Sequence, residues 1–196
     1  MKTIKSILLS AILLSNILSF GQKNEIPWLK KCTGLTYHVN YNAVEYDFII
    51  DSLVVKNDIA FKWKMTEPLI TAGKVKISKP ALDTATGFNN FFSDNSNLDL
   101  TDKTTVWVSK KIYKAIKKGA SVSIDAGSGR EKLTFINNEK ITAKFNGSNK
   151  TFNVLYATTP SGNKFWILDD PANPIILKMY LGWTIEIKEI LTNKKD

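Results

Sequence analysis

Apolar residues recur at every second position in short runs along most of this chain. That period restricts it to half-buried antiparallel strands, each with one face for a core and one for water. Tyr37, Val39 and Tyr41 share one side against His38 and Asn40, and Val44, Tyr46, Phe48 and Ile50 repeat the pattern beyond an Asn42-Ala43 turn. After Lys56-Asn57-Asp58, Ile59, Phe61, Trp63 and Met65 alternate with Lys62 and Lys64; Val75 and Ile77 then alternate with Lys74 and Lys76. Strands resume at Val122 and Ile124, turn at Gly127-Ser128-Gly129, and run through Leu133, Phe135 and Ile136 to Asn137-Asn138. Ile141, Ala143 and Phe145 lead into Asn146-Gly147, a strong hairpin signal. Phe152, Val154 and Tyr156, then Phe165 to Leu168, Ile175 to Leu177, and Trp183, Ile185, Ile187 and Ile190 complete the series.

Two stretches break the period. Residues 80–105 are rich in Asn, Asp, Ser and Thr around Phe88, Phe91 and Phe92, which reads as a long loop pinned by aromatic rings. Residues 109–118 carry helical spacing at Ile112, Tyr113 and Ile116, with Ser109 as cap, Lys117-Lys118 at the C-terminal dipole and Gly119 as stop. The expected fold is therefore mainly β (α+β): a curved antiparallel sheet, half-barrel or sandwich, with one short helix around 109–118. Thr36–Tyr41, Phe48–Asp51 and Ile59–Lys62 have echoes at Thr151–Tyr156, Phe165–Asp169 and Ile175–Lys178, at a near-constant offset. Either two related β halves, 34–78 and 120–191, flank the loop and helix, or alternating strands simply look alike.

Before the strands, Lys2 and Lys5 precede an apolar run from Ile7 to Phe20 that ends Ser19-Phe20-Gly21. This is the layout of a secretory signal peptide, residues 1–21, followed by one β-rich domain over 22–196. Export to the periplasm or outside the cell is the expectation. The full chain carries 27 basic and 18 acidic side chains, and loss of Lys2 and Lys5 leaves a net charge of about +7. Arg130 is the single arginine among the basic residues. Specific nucleic-acid or phosphate recognition favours the arginine fork, so a nucleic-acid partner is not expected. Cys32 is the single cysteine, which excludes an intramolecular disulfide. It stands too far behind the apolar run for a lipid anchor. No later stretch reaches membrane-spanning length.

Groups for catalysis are few. His38 is the single histidine, six residues from Cys32 but on the polar side of its strand. It offers a Cys-His pair only against that alternation. The Asp94–Asp102 segment is dense in oxygen ligands but lacks the glycine and twelfth-position glutamate of a calcium loop. Asp125-Ala126-Gly127 has no hydroxyl at its middle position, unlike an aspartic-protease loop. Asp169 and Asp170 are adjacent and would face opposite ways on a strand, with Asx capping before Pro171 and Pro174 the simpler role. No cofactor or metal is expected. Trp63, Trp107, Trp166 and Trp183 lie in or beside strands or the helix. Their rings either fill a core or, in a sheet that curves into an open barrel, line an apolar ligand cavity. They are the candidate ligand-binding residues.

Thr105-Val106-Trp107-Val108-Ser109 with Tyr113 and Lys117-Lys118-Gly119, together with Phe165 through Lys178, resemble exported, uncharacterised proteins of Bacteroidota and other bacteria. Ser19-Phe20-Gly21 before Gln22 is similar to signal cleavage in that phylum, and Asp51-Ser52-Leu53 and Asp83-Thr84-Ala85 are similar to its O-glycosylation sites. The order of strands and helix resembles the curved sheet of periplasmic lipoprotein carriers of the LolA/LolB type. Neither resemblance carries a catalytic motif; the second implies binding of acyl chains. The reading is an exported non-catalytic protein that binds an apolar or lipid-like ligand or an envelope component. Alternatives are an envelope structural or protein-interaction module contacting partners through residues 80–105, and a hydrolase using Asp125, Asp169 or Asp170.

Overall fold

The first four alternating runs form an antiparallel meander: β1 (Cys32–Tyr41), β2 (Val44–Val55), β3 (Ile59–Met65) and β4 (Ala72–Ile77). Their inward residues, from Leu35, Tyr37 and Val39 through Phe48, Ile50, Phe61 and Trp63 to Val75 and Ile77, are all buried. The computed structural model describes residues 32–193; the expected signal peptide, residues 1–21, and the leader up to 31 lie outside the described residues, as do 194–196.

A second meander follows the helix: β8 (Val122–Asp125), β9 (Arg130–Phe145), β10 (Ser148–Thr158), β11 (Lys164–Leu168), β12 (Ile176–Tyr180) and β13 (Thr184–Thr192). β13 pairs antiparallel with β1, placing Leu35 opposite Ile190, Tyr37 opposite Ile187 and Val39 opposite Ile185. The Tyr37 hydroxyl donates across the core to the Ile176 carbonyl at 3.1 Å. The two meanders, with three short strands from the segment between them, thus form one curved sheet of thirteen strands, not a closed barrel. A short parallel pairing of β13 with the end of β9, Ile190 opposite Phe145, draws the sheet round on itself there. The outermost strands pair on one side only, which leaves the sheet open.

The polar stretch 80–105 is not one loop. It holds a second helix, α1 (Lys79–Thr84), and three short strands, β5 (Gly87–Phe88), β6 (Ser96–Leu100) and β7 (Lys103–Thr104). Ser78 caps α1 by accepting from the Ala81 amide, and Pro80 sits in its first turn, where a missing N–H costs nothing. β6 adds in parallel to β4, and β5 joins β7 to β8. Asn137-Asn138 does not interrupt β9 either. A bulge leaves Ile136 without a partner between the Phe135–Ala157 and Asn137–Tyr156 pairs, so the strand runs on for 16 residues.

The expected helix is α2 (Lys110–Lys117), with Ser109 accepting from the Ile112 amide and Gly119 at φ 72° ending it. Eight residues are too few for a stable helix in water. Ile112, Tyr113 and Ile116 are buried, and α2 packs on β8, β9, β10 and α1. Asp83 of α1 accepts from Lys79 and from Lys110 of α2, and these hydrogen bonds hold its carboxyl down to about 2. Among the described residues no helix is long and apolar enough to cross a membrane.

Two hairpin turns allow a matched test. Asn42 and Ala43 have φ of 51° and 62°, and Asn146 and Gly147 have φ of 49° and 82°. Both turns need positive φ at both central residues, where alanine is strained and glycine is not. A Cβ on Gly147 would meet nothing within 4 Å, so its cost is conformational alone. We expect Ala43→Gly to stabilise and Gly147→Ala to destabilise by about 1 kcal/mol each. Urea denaturation should show this as opposite midpoint shifts at unchanged slope.

Candidate functional site

Where the open ends of β1 and β13 meet, apolar side chains gather without being covered. Tyr41 ends β1, Tyr46 lies on β2 and Trp183 precedes β13; the Tyr41 and Trp183 rings meet edge to face at 6.2 Å. Facing them are Met65 and Leu69 at the β3–β4 connection and Phe91 and Phe92 after β5. Together they bound a groove of about 780 Å³, within the range of small-molecule sites. Phe91 is 75% exposed, Tyr41 46% and Leu69 40%, and Ile70 beside them is 74% exposed. Phe92 is anchored by Phe48 at 4.9 Å and Trp63 at 5.1 Å.

Polar groups also line the groove: Thr71, Asn90, the Gly127-Ser128 turn, Ser161 and Asn163. Several of these groups are already tied down. Asn90 donates to the Ala126 carbonyl, and Asn163 donates to Glu131 at 2.8 Å. No charged side chain lines the groove among the described residues. A recess of about 50 Å³ continues inward past Phe48, Val106, Met179 and Ile185. Val106 has φ 46°, a conformation that a β-branched residue adopts only under constraint. Its carbonyl accepts from Ile176, and Val108 donates to Pro174, so the strand side holds it in place.

The four candidate tryptophans do not converge. Trp63 and Trp107 are each 1% exposed and fill the core, Trp63 against Phe48 and Phe92, Trp107 against Phe61 at 5.9 Å. Trp63 therefore backs the groove wall through Phe92. Trp166 stacks on Tyr156 at 4.8 Å and donates its indole N–H to Glu139, away from the groove. Trp183 lines the groove. Tyr41, Tyr46, Met65 and Leu181 line it too, and sequence reasoning did not single them out. Their signal was a set of large apolar residues at or near strand ends, where a side chain has less sheet to cover it.

The candidate catalytic groups are spoken for separately. Asp169 accepts from the Tyr113 hydroxyl at 2.7 Å and from Lys117 at 2.6 Å, tying the end of β11 to α2. Asp170 is buried and accepts from the Ala172 amide, and Asp125 accepts from Gly127 and Gly129 in its own turn. None of the three lines the groove. Asp94 accepts from the Ala72 amide. Among the described residues no group of three or more His, Cys, Asp or Glu is placed to hold a metal. His38 stands 3.5 Å from Asp47 on the outer face. No known family matches the chain, and no curated protein or solved structure is detectably similar to it.

Cys32 is 3% exposed, and burial pushes its thiol up to about 11. A thiol that is both covered and protonated is a poor nucleophile. We expect no reaction of the native protein with dithionitrobenzoate at pH 8 and reaction of one thiol after unfolding. Rapid native labelling would show that this part of β1 opens.

Proposed function

We propose that the protein is an exported, non-catalytic binding protein that holds an apolar or lipid-like ligand in the groove walled by Tyr41, Tyr46, Met65, Phe91 and Trp183. The observation that carries this reading is an uncharged groove of small-molecule size, rimmed by large apolar side chains left exposed. An occupant with an apolar body would cover that rim. The recess of about 50 Å³ past Phe48 and Met179 has room for the tip of an apolar group, and the amides and hydroxyls of Asn90, Ser128, Ser161 and Asn163 suit an uncharged polar head. The signal-like residues 1–21 support export.

A second reading, a protein-interaction module using residues 80–105, draws on the same exposure of Phe91. The two differ in what fills the groove. We expect the neutral probe N-phenyl-1-naphthylamine to bind saturably and to quench tryptophan fluorescence. Trp183→Ala should weaken it about tenfold, the size expected for removing an aromatic contact. Trp166→Ala, outside the groove, should leave it unchanged. Absence of saturable binding, or equal loss in both variants, would rule out the ligand reading. Full probe binding in Phe91→Ser with loss of an isolated envelope partner would favour the interaction module.

A further inference from the structure

The groove is polar without being charged, and its polar groups are of two kinds. Asn90 donates its Nδ2 to the Ala126 carbonyl, and Asn163 donates its Nδ2 to Glu131. Each amide is thereby fixed in orientation, with its side-chain oxygen left over as an acceptor. Neither oxygen has a partner among the described residues, and neither is sealed from solvent. The anchor of Asn163 is itself held. Glu131 also accepts from the Ser161 amide at 3.2 Å, and hydrogen bonding by Ser161, Thr159 and Asn163 holds its carboxyl below the usual carboxylate range.

The aromatic wall supplies donors. Among the described residues the Tyr46 hydroxyl and the Trp183 indole N–H have no partner, and both residues are only partly buried. Burial and the neighbouring Tyr41 raise the Tyr46 hydroxyl above the ordinary tyrosine value, so it keeps its proton. Ser128 adds a hydroxyl, also without a partner among the described residues, that both donates and accepts. Ring faces are open as well. Tyr41 and Trp183 meet at 74°, and an edge-to-face pair leaves faces for a third group.

These features select among ligand heads. A charged head entering an uncharged groove loses its water with no counter-charge to replace it. A head that only accepts, such as an ether, leaves both asparagine oxygens unanswered. A hydroxyl donates and accepts at once. A polyhydroxylated ring carries several hydroxyls at its rim, and its C–H groups suit the negative face of an aromatic ring. We propose that the ligand of this groove is a neutral amphiphile headed by a sugar ring. The inference rests on the groove being the binding site and adds the chemistry of the head.

The test uses four octyl compounds below their micelle concentrations, each displacing N-phenyl-1-naphthylamine from the full chain. Their heads are a β-glucoside, a methyl-capped triethylene glycol, a sulfate and a trimethylammonium. We expect the glucoside to displace the probe at a concentration about tenfold below that of each of the others. Tyr46→Phe keeps the ring and removes only the unpartnered hydroxyl. It should cut the advantage of the glucoside over the ether about fivefold, the size of one neutral hydrogen bond. Tyr156→Phe, whose ring stacks on Trp166 outside the groove, should leave that ratio unchanged. If the probe binds but the glucoside gains nothing over the ether, or a charged head displaces it equally well, the sugar assignment fails while the groove reading stands. An equal drop in the ratio in Tyr156→Phe also overturns the assignment. If the probe does not bind at all, both fail.

Discussion

The pairing of the first described strand with the last holds the architecture together. β1 and β13 are separated by almost the whole domain, so their contact carries a large loop-closure cost. It is offset by three facing apolar pairs, Leu35–Ile190, Tyr37–Ile187 and Val39–Ile185, all buried. Tyr37 adds a hydrogen bond to β12, and burial drives its hydroxyl far above the ordinary tyrosine range, so it stays a neutral donor. The antiparallel register has a second consequence. With Asn40 opposite Thr184, Tyr41 and Trp183 must emerge side by side just past the last pair, and they form one wall of the groove.

The two sides of the first meander are chemically opposed. One side feeds the core and the groove, where charge is absent from the lining. The other carries Lys62, Lys64, Lys74 and Lys76 on consecutive strands. Period two makes this separation automatic, because every lysine between two apolar residues of β3 is sent outward. Some outward charges are neutralised locally, as Lys188 is by Asp47 and Lys178 by Glu186, both at 2.7 Å. Exposed pairs of this kind add little stability. Lys62 differs: with Asp51 directly opposite on β2 and Lys74 opposite on β4, it forms no salt bridge among the described residues.

How far sequence could lead depended on whether a feature was local. Alternation marks β1 to β4, β10 and β13, because period two in an amphipathic strand is a property of its own residues. α2 was legible from a cap and a stop placed at the right distance. α1 has six residues and one buried side chain, too few for a period to appear. β6 offers only Leu98 and Leu100 among polar neighbours, and its parallel place beside β4 is a non-local choice. Among the tryptophans, Trp166 sits between Phe165 and Ile167, both 0% exposed, so parity alone sends it outward. Trp63 and Trp183 differ for a reason no local pattern holds: Phe92, from a distant segment, covers one, and nothing covers the other fully.

The constraint at Val106 links these parts. A β-branched residue at positive φ persists only where its surroundings over-determine it. Its carbonyl is bound by Ile176, the residue whose own carbonyl accepts from Tyr37, and Trp107 bridges to Ile175 beside it. The floor of the recess and the joint between the two meanders are therefore bonded to the same short stretch of chain. Opening the recess by moving Val106 would strain the bond network that holds β1 and β13 together. A ligand entering from the groove consequently meets a floor already in place, and the side chains free to adjust are those at the rim, Phe91 and Leu69, which little else restrains.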